Sequence, residues 1–174
     1  MNPRITSMEN LIASDPGGRN VFGLVVPDQL RLAAQSLRLA RRVAIVTGFY
    51  IPEAGAGETD GPPGAKVLGD ALQKFGVTVD YLTDSFNAPL LRALDIDPIV
   101  EHARYLESDR PSHLVSIERA ARARDGRYRN MRGLDITETT APPIFTKAWI
   151  CAAHWPAVGS KTWSARMESA PANP

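Results

Sequence analysis

Glu58, Thr59 and Asp60 place two carboxylates around a threonine, directly in front of the run Gly61-Pro62-Pro63-Gly64. A carboxylate can take a proton from an amine, receive an ammonium group or bind a hard cation, and two beside a glycine turn exceed what one helix cap needs. Two further acids, Asp84 and Glu118, each close a short apolar, β-branched run. The carboxyl ends of parallel strands share one edge of a sheet, so Glu58, Asp60, Asp84 and Glu118 are the candidate catalytic groups of one crevice. With no histidine or cysteine at ligand spacing beside them, an all-oxygen site suits Mg²⁺, Mn²⁺ or Ca²⁺ rather than zinc. No motif requires a cofactor, and a divalent cation is compatible with these donors.

A second group of residues suits an anion. Arg119 follows Glu118 directly, and residues 125–133 read Asp-Gly-Arg-Tyr-Arg-Asn-Met-Arg-Gly. Guanidinium groups grip carboxylates with two parallel hydrogen bonds, while Tyr128 and Asn130 offer neutral bonds that fix orientation. Arg119, Tyr128, Asn130 and Arg132, with Thr59 and Gly61 from the acidic loop, form the candidate substrate-binding set. The plainer reading of this segment is a solvated arginine-rich loop.

Other residues carry less. His113 titrates near neutrality and has the chemistry of a base, but at a strand start it reads as a structural histidine. His102 reads as a surface residue, and Cys151 with His154 lies in an irregular tail where sequence neighbours do not make a catalytic pair. The run Gly55-Ala56-Gly57-Glu58-Thr59-Asp60-Gly61 is not a dinucleotide fingerprint, because acids occupy the turn where a pyrophosphate needs bare amides. No Gly-Lys-Ser/Thr follows it, so it is not a P-loop.

The elements that must position these groups follow from periodicity. A helix is expected from Asp28, as N-cap, to Arg42, with Leu30, Ala33, Ala34, Leu37 and Ala40 near helical spacing. Residues 43–49 are nearly all apolar, as befits a strand covered on both faces. Pro63 can open a second helix whose apolar face is Val67, Leu68, Ala71, Leu72 and Phe75, with Gly76 ending it. A strand over 77–83 completes a βαβ unit, whose crossover should be right-handed. Residues 88–108 are weakly helical and broken at Asp97-Pro98, and 113–118 read as a third buried strand. Asp125-Gly126 and Arg132-Gly133 mark turns.

Composition sets the frame. The 174 residues are 44% hydrophobic and 22% charged, enough for one ordinary core. A net charge of +1 gives no reason to expect nucleic acid, even with Tyr128 among the arginines, or a membrane surface as partner. One cysteine excludes an internal disulfide framework, and no segment has the length of a signal peptide core or a membrane span, so the expected compartment is the cytoplasm. Nothing in the sequence sets an oligomeric state.

These motifs resemble one family. Val-Thr-Gly-Phe at 46–49, Gly-Glu-Thr-Asp-Gly-Pro-Pro-Gly-Ala at 57–65, Leu-Thr-Asp at 82–84, Pro-Ser-His-Leu at 111–114, Ile-Glu-Arg at 117–119 and the 125–133 segment together resemble the D-glutamate cyclase carboxyl-terminal domain family. The similarity covers residues 8–145, and the 58–64 and 128–133 segments are its specific part. It implies an α/β domain, mostly a parallel sheet with flanking helices in Rossmann-like βαβ units, that converts D-glutamate to 5-oxo-D-proline and water. The implied partner is a small acidic amino acid. Family members continue beyond Pro143-Ile144-Phe145 with more α/β structure, including a Gly-Asp-Gly-Gly-Asn-Glu-like segment that has no counterpart here. The fold is therefore expected to be incomplete at its carboxyl end, with 146–174 a disordered tail of a truncated or frameshifted reading frame. Two other readings stay open: a non-catalytic remnant that binds a small carboxylate, and a metal-dependent hydrolase built on the acids.

Overall fold

A computed structural model of the chain describes residues 3–18, 25–100, 105 and 111–141. The chain divides into two compact units, residues 1–40 and 41–174. The first holds helices α1 (Pro3–Ala13) and α2 (Gln29–Arg38). Asp28 stands at the N-cap position of α2 but does not cap it. Its backbone is left-handed (φ 69°), no cap bond forms from its side chain, and the carboxylate pairs with Arg31 instead. The free amides at the start of α2 are satisfied from α1, where the Glu9 carboxylate accepts the N–H groups of Asp28 (3.1 Å) and Leu30 (2.9 Å). No residue of α2 is buried, and the helix stops four residues short of the expected Arg42.

The second unit is built on a parallel three-stranded sheet. Its strands are β1 (Arg42–Thr47), β4 (Thr78–Leu82) and β5 (His113–Ile117), with β1 in the centre. Val43, Ala44, Ile45 and Thr47 are fully buried, which explains why β1 reads as a continuous apolar run. Burial of its larger aliphatic side chains contributes about 1.5–3 kcal/mol each. Ala44 and Val46 pack with Leu82 and Tyr105 into a cluster extended by Ile99 and Leu114. The strand ends at Thr47, two residues before its expected end, because Gly48 turns the chain at φ 118°.

Just after β1 lies a small hairpin that periodicity did not announce. Strands β2 (Tyr50–Ile51) and β3 (Ala56–Gly57) pair antiparallel around a single 3₁₀ turn, Pro52–Ala54, closed by Gly55 at φ 62°. Helix α3 (Gly61–Gln73) then crosses to β4, and Gly76 ends it with φ 79°, as expected. Its buried face differs from the expected one. Val67 and Phe75 are 70% and 64% exposed, while Gly61, Pro62, Ala65, Gly69 and Leu72 are buried. Small residues face the sheet because β4 comes close: a Cβ at Gly69 would fall 1.9 Å from the Tyr81 hydroxyl.

After β4 comes a short helix α4 (Ala88–Arg92), much shorter than the weak helical pattern suggested, and Ile99 forms a lone parallel bridge with Leu82. The chain after β5 turns at Gly126 (φ 85°) and Gly133 (φ 79°), with bridges Arg122 to Tyr128 and Arg129 to Asp135. The expected tail over 146–174, with Cys151 and His154, lies outside the described residues, as does His102. Among the described residues, no helix is long and apolar enough to cross a membrane.

Candidate active site

All three strands of the sheet deliver polar groups to their carboxyl-terminal edge. Glu58 is tied to the exit of β1 by its own backbone, whose N–H donates to the Phe49 carbonyl (2.7 Å). Asp60 occupies the N-cap position of α3 without making a side-chain cap bond, so capping does not account for its carboxylate. Glu118 follows β5 with a left-handed backbone at φ 44°. A residue with a Cβ is held there against an intrinsic preference.

These three carboxylates converge. Glu58, Asp60 and Glu118 each offer an oxygen within 4.8 Å of the other two. Among the described residues, none of the three carboxylates accepts a hydrogen bond or meets a cation. Partial burial, together with the charges of Asp60 and Glu118, raises the Glu58 carboxyl above the usual range. Three acids at this separation repel one another and attract one positive partner, either a hard divalent cation or an ammonium group. Gly61 makes the convergence sterically possible: a Cβ there would fall 2.7 Å from Thr47 Oγ1 and 2.9 Å from Glu118 Cβ. The Thr47 hydroxyl is buried at this junction and has no partner among the described residues. Thr59, between the two loop acids, is exposed.

Asp84 is not part of this trio. Its side chain is 5% exposed, and one oxygen accepts the Arg119 guanidinium at 2.7 Å. The other accepts the backbone N–H (3.1 Å) and Nδ2 (2.6 Å) of Asn87. Arg119 is equally committed, donating also to the carbonyls of Gly48 (3.1 Å) and Ala141 (3.0 Å). Asn87 was not singled out in the sequence, where its position ahead of Ala88-Pro89 resembles an ordinary helix start. Its Oδ1 is buried without a partner among the described residues and lies against Gly57, where a Cβ would fall 2.0 Å away.

The remaining candidates divide. Asn130 Oδ1 accepts the backbone N–H groups of Arg132 (2.9 Å) and Leu134 (3.0 Å), holding the turn at Gly133. Tyr128 is buried, and its hydroxyl has no partner among the described residues. Burial pushes the phenol up, and the Arg122 and Arg119 charges oppose that shift. Arg132 is exposed and reaches Glu53 (3.2 Å), in the same loop that continues to Glu58. Arg127 pairs with Asp135 beside an open depression of about 610 Å³ that is also lined by Tyr50, Ile136 and Thr137. His113 pairs in register with Val43 at the opposite end of the ladder from Thr47 and Ile117, so the sheet separates it from the acids. Its Nδ1 meets Ser112 Oγ (3.0 Å), and burial lowers its pKa.

A human protein named mitochondrial D-glutamate cyclase is 33% identical over 166 residues, which covers 80% of this chain and 27% of that protein. The chain therefore spans about a quarter of the length of that relative. The profile described as "D-glutamate cyclase-like, C-terminal" matches residues 8–148, a span that includes β1, α3, β4, β5 and all three converging acids. The chain belongs to the D-glutamate cyclase-like C-terminal family.

Proposed function

We propose that the chain carries the acid site of a lyase that closes D-glutamate to 5-oxo-D-proline with loss of water. The observation that carries this reading is the meeting of three unpartnered carboxylates at the sheet edge of a chain from this family. The reaction needs what that cluster offers. The α-ammonium of the substrate must be attracted, lose a proton, and attack the γ-carboxyl carbon. A C–N bond forms and a C–O bond breaks; the nitrogen gives up two protons in all, and the departing oxygen takes up two and leaves as water.

In this reading Glu58, Asp60 and Glu118 receive the ammonium. Asp60 or Glu118 removes its proton, and Glu58, whose raised pKa favours the acid form, returns one to the leaving oxygen. Arg132 is the guanidinium available for a substrate carboxylate, since among the described residues its ion pair is an exposed one with Glu53. The unpartnered Tyr128 hydroxyl, Thr59 and the Gly61 amide add hydrogen bonds. The same oxygens suit a divalent cation, so the assay is run with chelator and with added Mg²⁺ or Mn²⁺. We place the protein in the cytosol on its lone cysteine; the human relative is named as mitochondrial.

Incubating the purified chain with D- and with L-glutamate, and following oxoproline by mass spectrometry, tests the proposal. D-glutamate should be converted and L-glutamate left. Conversion that continues unchanged in both Asp60→Asn and Glu118→Gln would remove the acids from the mechanism. Stabilisation by D-glutamate without turnover would leave a binding role alone.

A further inference from the structure

Asp84 and Arg119 have the residue types of a catalytic acid and a substrate clamp, yet every strong bond they make is to the protein. A single guanidinium joins the exits of all three parallel strands. It extends from the residue two beyond β5, reaches the Gly48 carbonyl just past β1, and pairs with Asp84 just past β4. Its second nitrogen donates to the Ala141 carbonyl. Asn87 fixes the far oxygen of Asp84, so the anchor is itself anchored.

Between this guanidinium and the strand lies Glu118. On its amino side, Ile117 is locked in register with Thr47 of β1. On its carboxyl side, Arg119 is held at three points. Glu118 has a left-handed backbone and an unpartnered carboxylate, so nothing in its own side chain explains that conformation. A relaxed residue would swing its Cβ away from Gly61, and the carboxylate would leave Glu58 and Asp60.

We infer that the buried pair of Asp84 and Arg119 is a positioning device, which holds Glu118 left-handed and so places its carboxylate in the trio. The functional meaning of that placement rests on the acid-site reading above; the placement itself does not. Neither residue touches substrate in this assignment, and both act through Glu118.

Two measurements on the full chain, neither using D-glutamate, test it. The first is the intraresidue amide-to-Hα Overhauser effect of Glu118, which is strong only when φ is positive because the two protons then come close. It should be strong in the wild type and fall to the level of the neighbouring strand residues in Arg119→Lys and in Asp84→Asn. A weak effect in the wild type, or a strong one surviving in either folded variant, overturns the inference. The second is a double-mutant cycle in urea with Glu118→Gly, which accepts positive φ and keeps the doubly substituted chain foldable. Arg119→Lys should shift the unfolding midpoint less in the Glu118→Gly background than in the wild type. Equal shifts in the two backgrounds would mean a purely structural pair and would also overturn it. If the wild type turns over D-glutamate, Arg119→Lys should lower kcat more than it raises KM. If it does not, the two structural results still stand.

Discussion

Asp84 and the trio of Glu58, Asp60 and Glu118 sit at exits of the same three strands, but they live in opposite surroundings. Asp84 is dry, with both oxygens bonded to Arg119 and Asn87, whereas Asp60 and Glu118 are exposed and the trio has no partner among the described residues. A charge taken from water must be paired, and once paired it holds structure together. A carboxylate left in contact with solvent and crowded by its own kind keeps its charge available for something else. The difference separates residues that keep the edge in shape from residues that can act on a ligand.

The strongest way to break that contrast is to remove the partner of the dry acid. Arg119→Ala leaves Asp84 buried and unpaired, and urea denaturation should show a loss of about 3–5 kcal/mol. Asp60→Asn is the counterpart in the trio. It should slow D-glutamate cyclisation by about 10²–10⁴-fold, the usual range for a lost proton-transfer group, while the unfolding midpoint stays level or rises. If Asp60→Asn unfolds the chain, or Arg119→Ala leaves its stability intact, the two surroundings do not divide labour in this way.

A smaller effect sharpens the contrast through pH. The Glu58 carboxyl is raised above 4.5 in the folded chain by burial and by its acidic neighbours, so the native state holds that proton more tightly than the unfolded state does. The contribution of Glu58 to stability is therefore lost as pH rises from 4.5 through the raised folded value. Glu58→Gln should flatten the dependence of Tm on pH across that interval. A divalent cation bound by the trio should reverse it, because the cation competes with the proton and favours the carboxylate form.

The smallest effect belongs to the arginine loop. Arg129, with a backbone hydrogen bond from Arg127, holds Asp125 down at about 2, but this pair lies in water. Its stabilising contribution is present above 3.8 and fades as pH falls toward about 2. Arg129→Gln should lower Tm slightly at low salt, and in about 1 M salt, where screening reaches about 3 Å, the difference should vanish.

The four acids could be named from the sequence, but their grouping could not. Residue type marks Asp84 and Glu118 equally, and each ends a strand. Which acid receives Arg119 depends on a contact 35 residues long in sequence, set by the order of strands in the sheet. The strands, Gly76 and the turns at Asp125-Gly126 and Arg132-Gly133 were legible because each rests on local chemistry. The buried face of α3 was not. A search for large apolar residues selects Val67 and Phe75, which face solvent, and passes over Gly69 and Ala65, which are buried because the sheet leaves no room for more. The 50–57 hairpin was missed for a related reason: two-residue strands are too short to show a period.

The contact between Gly69 and Tyr81 reaches further than packing. Gly69 lies eight residues beyond Gly61 on one rigid helix, about 12 Å along its axis at about 1.5 Å per residue. With a Cβ position 1.9 Å from the Tyr81 hydroxyl, there is no slack at that point. Gly69→Ala would act as a wedge under one arm of a lever, and the other arm carries Gly61 against Thr47 and Glu118. In that variant the spacing of the three acids would change from two turns away, through a residue with no chemistry of its own.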